Sequence, residues 1–323
     1  MVSAIAVAVL LAVADVGRAV DALLAARPAE LAAAAAVFAI GLVGRAACSR
    51  ELVDGRGGLG GAFAALTIGY LINNLLPLRA GEVARALVLG RRSGLGAMGG
   101  AAAVAAERLL DLVLAATILV SGLAAVGLDT SWASAAMAAV AAVAGMATLV
   151  LVARNRLALA VWLEARLGRW PRLASLVPRA VAALEGFARP RRLARAALIL
   201  AASWALAVVV FWLVMRAFIP AAPLAWAVFG LGVMAFGIAL PSSPGAVGVY
   251  EAAWVSALAM VGADPADALA FAVAAHAMTF GITTLCGLVC LAREVPGGNG
   301  GVAAKARRLL AGRPTPVSEE ATQ

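Results

Sequence analysis

The sequence predicts an all-α, polytopic integral membrane helix bundle, and three observations predict it. Of 323 residues, 64% are hydrophobic and 13% charged, with a mean hydropathy of +0.99. Soluble domains run at roughly 45–50% apolar and about 25% charged residues. The apolar runs are long, rich in Ala and Leu, and do not alternate, which favours spanning helices over a barrel. Two of these runs are cut by proline and glycine in corresponding places of the two halves. The expectation is about seven to nine hydrophobic segments, two of them Pro/Gly-broken helices open to a re-entrant path, arranged as a pseudo-repeat.

The net charge of +9 does not point to nucleic acid. The basic residues cluster between apolar runs and in the tail, where the positive-inside rule expects them; headgroup binding is the alternative use. Cys48, Cys286 and Cys290 fall in or beside apolar runs and read as packing residues, without the His or further Cys partners of a metal site. No metal and no cofactor are expected.

In chain order, Val2 to Ala14 reads as a short first span, because no positive residue precedes it as in a secretory signal. Pro28 and Glu30 open a second span to about Cys48, with proline where a first helical turn tolerates it. Arg45, Arg50 and Arg56 then mark a cytoplasmic connection. Leu59 to Leu78 is a third run, with Asn73 and Asn74 near its end and Pro77 as its stop. Arg79 to Arg92 is amphipathic, and Glu82 and Arg85, one turn apart, are placed to pair.

Gly94 to Leu128 would be about 52 Å as one helix, against roughly 30 Å of hydrocarbon. The economical expectation puts Glu107 to Asp111 at a membrane boundary, with Leu110 to Leu128 crossing. Glu107 and Asp111 share a face and Arg108 is offset around the helix. Two carboxylates beside an arginine form either a site or a structural ion-pair knot.

Trp132 to Ala153 is a clear span. Arg154 to Arg195, with ten arginines and two glutamates, reads as the cytoplasmic linker between halves at about 1–153 and 196–292. Ala196 to Ile219 and Leu224 to Leu240 follow, then the break, then Ala252 to Gly262 and Ala268 to Ala292. Residues 293–323 form a cytoplasmic, mostly disordered tail.

The break itself is Pro241 to Glu251, PSSPGAVGVYE. Pro241 and Pro244 remove backbone donors, and Gly245 and Gly248 weaken helix further. A broken helix at membrane depth must be buried in protein or line a watery cavity, and Glu251 beside it reads as functional by default. Pro77 and Gly81 share a Leu-Pro-x-x-x-Gly spacing with Pro241 and Gly245, 164 positions later, and each motif is followed by a glutamate. Corresponding interruptions in two halves of a membrane chain point to a midplane binding site.

Asn73, Pro77, Gly81, Glu82 and Arg85, then Glu107-Arg108-x-x-Asp111, then Pro241, Ser243, Pro244, Gly245, Gly248 and Glu251 resemble the signature of the flippase-like transmembrane domain of lysylphosphatidylglycerol synthases. The resemblance covers nearly the whole chain, up to about residue 292. It implies movement of a lipid or lipid-linked head group between leaflets. Lysyl transfer is not implied, because nothing after Ala292 is long enough for the soluble aminoacyl-transfer domain. The chain departs from the pattern at Ala246, where a second glycine is common, and at His276, where an arginine or similar residue is expected.

The leading expectation is a lipid translocase of a bacterial cytoplasmic membrane, multi-pass, with its C-terminus in the cytoplasm. Arg79, Arg85 and Arg108 would receive a phosphate, or else form an inner-leaflet positive edge or pair internally with the same glutamates. Glu82 and Glu251 would gate or meet a cationic group. Asn73, Asn74, Glu107, Asp111, Ser242, Ser243 and His276 complete the candidate set. His276 is either a packed neutral residue or, facing Glu251 or Glu82, a proton-coupling candidate, because histidine titrates near physiological pH. The expected partner is a membrane lipid, anionic or polyprenyl-linked, together with a lipid-synthesis enzyme. The alternatives are a membrane-embedded transferase on a lipid-linked substrate, with Glu82, Glu107 or Asp111 as base or metal ligand, and an accessory subunit of a synthesis system. No P-loop or nucleophile motif supports an enzyme.

Overall fold

The computed structural model describes residues 15–77, 79–127, 189–238 and 243–294, with a few isolated positions between 151 and 166. The described residues form α1 (Val16–Leu24), α2 (Pro28–Leu52), α3 (Gly58–Leu75), α4 (Ala80–Ser93), α5 (Gly96–Ala125), α6 (Pro190–Phe218), α7 (Leu224–Gly237), a 3-10 turn at Pro244–Ala246, α8 (Val249–Met260) and α9 (Pro265–Glu294). No strand occurs among them, and α2, α3, α5, α6 and α9 are long and apolar enough to cross a membrane. Proline sits in the first turn of both α2 and α6, where its missing N–H costs nothing. The expected spans at Val2 to Ala14 and Trp132 to Ala153, the tail, and most of the Arg154 to Arg195 linker lie outside the described residues, as do Pro241 and Ser242.

Two sets of four helices repeat one pattern: α2 to α5 and α6 to α9. Within the first set α3 packs on α4 and α4 on α5; within the second α7 packs on α8 and α8 on α9. Between the sets, α3 packs on α9 and α5 on α7, which are the same contact with the sets exchanged. The most extensive contact joins α2 to α6, the two equivalent first helices.

That pair runs antiparallel. The Arg27 N–H donates to the Ala217 carbonyl at 3.3 Å, Gly44 lies against Ser203, and Asp54 pairs with Arg192 at the opposite end. Equivalent helices that meet antiparallel are related by an axis perpendicular to them, so the two sets have inverted topology. The glycine contacts obey the same relation: Gly122 of α5 lies against the Phe229 backbone of α7, and Gly287 of α9 against the Thr67 carbonyl of α3. Small residues here let backbones approach where lipid offers no hydrophobic incentive to associate.

Two cores result. Leu66, Leu89, Val104 and Leu110 pack in the first with Leu200; Phe211, Met215, Trp254, Leu258 and Phe271 pack in the second. α6 contributes to both.

The ends of the bundle differ in charge. At one end stand Arg50, Arg56, Arg91, Arg92, Arg189, Arg191, Arg192, Arg195 and Arg293 against Glu51, Asp54 and Glu294; at the other, Asp15, Asp21, Glu30, Asp264 and Asp267 against Arg18, Arg27 and Arg216.

The fold corrects one expectation. Gly96 to Ala125 is a single helix, and Glu107 and Asp111 lie in its interior, 1% and 8% exposed against protein, rather than at a helix end. The physical reason is that arginines on neighbouring helices neutralise them, so they have no need of water.

Candidate functional site

The first polar cluster joins four helices within the first core. Arg85 Nη2 donates to Glu107 Oε2 at 2.5 Å, and Ser49 Oγ donates to the same oxygen at 2.8 Å. Arg85 Nη2 also reaches Ser49 Oγ at 2.7 Å. Arg45 Nη2 donates to both oxygens of Asp111 at 2.9 and 2.7 Å, and Trp204 Nε1 to Asp111 Oδ1 at 2.9 Å. Arg108 Nη1 reaches Asp111 Oδ2 at 3.1 Å, while its Nη2 donates to Glu82 Oε1.

Three arginines thus meet three carboxylates, and the cluster is neutral. The expected pairing of Glu82 with Arg85 on one face of α4 does not form. Each takes a partner on α5 instead, Arg85 the Glu107 carboxylate and Glu82 the Arg108 guanidinium. Of the alternatives open for Arg85 and Arg108, internal pairing is the one present in this conformation. Donor capacity remains: Arg45 Nε, Arg85 Nε and Nη1, and Arg108 Nε are buried without a hydrogen-bond partner.

The two interruptions meet in space. Chain direction breaks after α3, where Leu76 is extended and Arg79 takes a left-handed conformation at φ 55°. Gly81, expected as part of the break, lies inside α4. It is glycine because a Cβ there would come within 2.0 Å of the Gly69 carbonyl, and its N–H donates to Asn73 Oδ1 at 2.8 Å.

From the end of α3, Asn74 Nδ2 donates to Thr283 Oγ1 at 3.1 Å and Thr284 Oγ1 at 2.9 Å on α9. Arg79 Nη2 donates to the Ile238 carbonyl at 2.5 Å, capping the end of α7 where the second break begins. In that break Pro244 opens the 3-10 turn, Gly245 at φ 66° packs against Phe280, and Gly248 at φ 84° precedes α8. Ser243 Oγ donates to the Val247 carbonyl at 3.1 Å.

The second polar cluster lies just beyond. Glu251 Oε2 accepts the Gly248 N–H at 2.7 Å, closing the first turn of α8 as a capping carboxylate does. Its Oε1 lies 2.5 Å from His276 Nδ1 on α9. The imidazole stacks on Tyr250 with centroids 4.3 Å apart and meets Phe280 edge-on. His276 lies eleven residues into α9 from the acidic end, about 16 Å deep; Glu107 lies eleven residues into α5 from the basic end, about the same depth. The clusters therefore sit at opposite depths, with the paired breaks between them.

The structure brings Glu82, Arg85, Glu107, Arg108 and Asp111 together, sets Asn73, Asn74, Arg79 and Ser243 at the breaks, and pairs Glu251 with His276. It does not unite these into one pocket wall. Sequence reasoning missed Arg45, Ser49 and Trp204. Arg45 and Ser49 are one turn apart, and carrying the second span to Leu52 would have put both inside the membrane. Among the described residues no group of three His, Cys, Asp or Glu side chains is placed to hold a metal ion.

Neither a comparison with curated proteins nor one with solved structures finds a match. The family model of the lysylphosphatidylglycerol synthase TM region matches residues 1–287. With that match running from residue 1 to residue 287 within α9, and with the charged motif of α4 and α5 and the second break both inside it, the chain belongs to the family of lysylphosphatidylglycerol synthase transmembrane regions.

Proposed function

We propose that this protein is a lipid translocase that carries a phospholipid or lipid-linked head group between leaflets. The observation that carries the reading is the meeting of two broken helices from inverted helix sets at mid-depth, through Arg79 to the Ile238 carbonyl and Gly245 beside the Asn74 carbonyl. Inverted repeats with discontinuous helices at their interface are the arrangement in which a fixed central site is opened to each side in turn. Broken backbone is tolerated at that depth only where protein or a watery path surrounds it.

An anionic head group suits the first cluster, where the unpartnered N–H groups of Arg45, Arg85 and Arg108 could hold a phosphate as the glutamates let go. The arginine-rich end supports a cytoplasmic reading of that side in a bacterial inner membrane, with the C-terminus of the chain on the same side. An enzyme that makes the lipid is the partner this role calls for.

The test is leaflet exchange in proteoliposomes with fluorescent anionic, zwitterionic and polyprenyl lipid analogues. Wild type is expected to speed exchange of at least one, and Arg85→Ala, verified as folded, to lose most of that gain. Exchange no faster than in protein-free vesicles for every lipid would overturn the reading.

A further inference from the structure

We infer that Glu251 and His276 form a proton-binding site that couples proton movement to translocation. The inference rests on the translocase reading above. Its ground is a comparison of two equivalent joints. In the first set α4 is tied to α5 by Arg85 to Glu107 and by Arg108 to Glu82. In the second set the equivalent pair, α8 and α9, is tied by Glu251 to His276. Counted from the helix starts, Glu251 is the third residue of α8 as Glu82 is of α4, and His276 lies eleven residues into α9 as Glu107 does into α5. The same joint is thus built with guanidinium groups, which do not deprotonate in proteins, in one set and with the chain's single histidine in the other.

The local geometry defines where the proton goes. Glu251 is held as an acceptor on both oxygens, by the Gly248 N–H and by His276 Nδ1. With Glu251 ionised, this contact requires Nδ1 to carry its hydrogen in both states, and Nε2 is the nitrogen that gains and loses the proton. Uptake from water on one side takes the pair from a net charge of −1 to zero; release to water on the other side reverses it. A neutral pair holds α8 to α9, whereas a buried carboxylate facing a neutral imidazole is costly at this depth.

Few other titratable groups confront the pair. Tyr250 on α8 stacks on the imidazole, and α7 has none. Tyr70, the one such group on α3, belongs to the first cluster beside Arg45 and Arg85. The charges of α1 and α6 lie at the ends of the bundle, where Arg18 pairs with Asp264 and Arg216 with Glu30, and Arg45 of α2 is held by Asp111.

Because the chain has one histidine, imidazole 15N NMR of protein made without a histidine tag reads this site alone. The expected signal changes in one step as pH is varied, and Glu251→Gln displaces that step. A signal that does not change with pH, or a step indifferent to Glu251→Gln, overturns the proton site. In proteoliposomes wild-type exchange is expected to change several-fold with pH around the same step. Exchange in His276→Arg, which keeps a cation on Glu251, is expected to be flat with pH whatever its level. PH-independent exchange in wild type, or retained pH dependence in His276→Arg, overturns coupling and leaves the translocase standing. A titrating imidazole in a protein that moves no lipid at any pH overturns both.

Discussion

Ala246 holds a backbone conformation that suits glycine, φ 56°, between Gly245 and Val247 in the second break. A left-handed conformation costs an L-residue roughly 1–2 kcal/mol, part of which glycine gives back through its freer unfolded chain. Ala246→Gly is therefore expected to stabilise the protein by about 1 kcal/mol, seen as a higher unfolding midpoint in detergent; a lower midpoint would mean the turn is not held this way. The departure from the family's glycine pattern was legible in the sequence, but its backbone reason was not. The charged residues show the same division. Glu107, Arg108 and Asp111 announced themselves as a group by sitting in an apolar run. Arg45 and Trp204, which complete the group, lie 66 and 93 positions from Asp111, and partners so distant are chosen by packing that no local pattern encodes. Arg79 was expected to wait for a phosphate, yet it caps α7.

At the scale of helices, the two interruptions were legible because proline and left-handed glycine leave few alternatives. The continuity of α5 was not, since three charges within five residues look like a membrane boundary until their counter-charges are known. The ties between α4 and α5 also fix what substitution does. Glu107→Gln leaves the Arg85 guanidinium, 2% exposed, without a carboxylate, and a broken buried pair costs about 3–5 kcal/mol. Replacing both partners with apolar residues of similar size, Arg85→Met with Glu107→Leu, removes the stranded charge. The double variant is expected to be clearly more stable than Glu107→Gln in thermal unfolding, while translocation is lost in both. A double variant no better than the single one would show that Ser49 and Arg45 depend on the pair for their own placement.

For the molecule as a whole, the spacing of 164 residues signalled a repeat but gave no direction, because a short motif match does not say which way its helices point. The antiparallel run of α2 against α6 supplies the direction. On the reading proposed above, the arginine-rich end faces the cytoplasm. In a background without the native cysteines, a cysteine at Arg293 or Arg56 is expected to react with an impermeant reagent only from the cytoplasmic side, and one at Asp264 or Asp15 only from outside. The reverse pattern would invert the assignment of sides.

Gly44 touches Ser203 with so little between them that a Cβ on the glycine would stand 2.5 Å from the hydroxyl, and Gly41 faces Leu206 one turn away. The crossing of α2 and α6 is thus a fulcrum with almost no interlocking at its centre. Asp54 and Arg192 close one tip of the lever and Glu30 and Arg216 the other, the first about 20 Å from Gly41 at a rise of about 1.5 Å per residue. A tilt of about 10° there moves the tip by about 3.5 Å, enough to part an ion pair while the centre stays in touch. Rocking one half-molecule on the other would part these rim pairs, where water is available to take their place, and would slide α3 along α9 and α5 along α7.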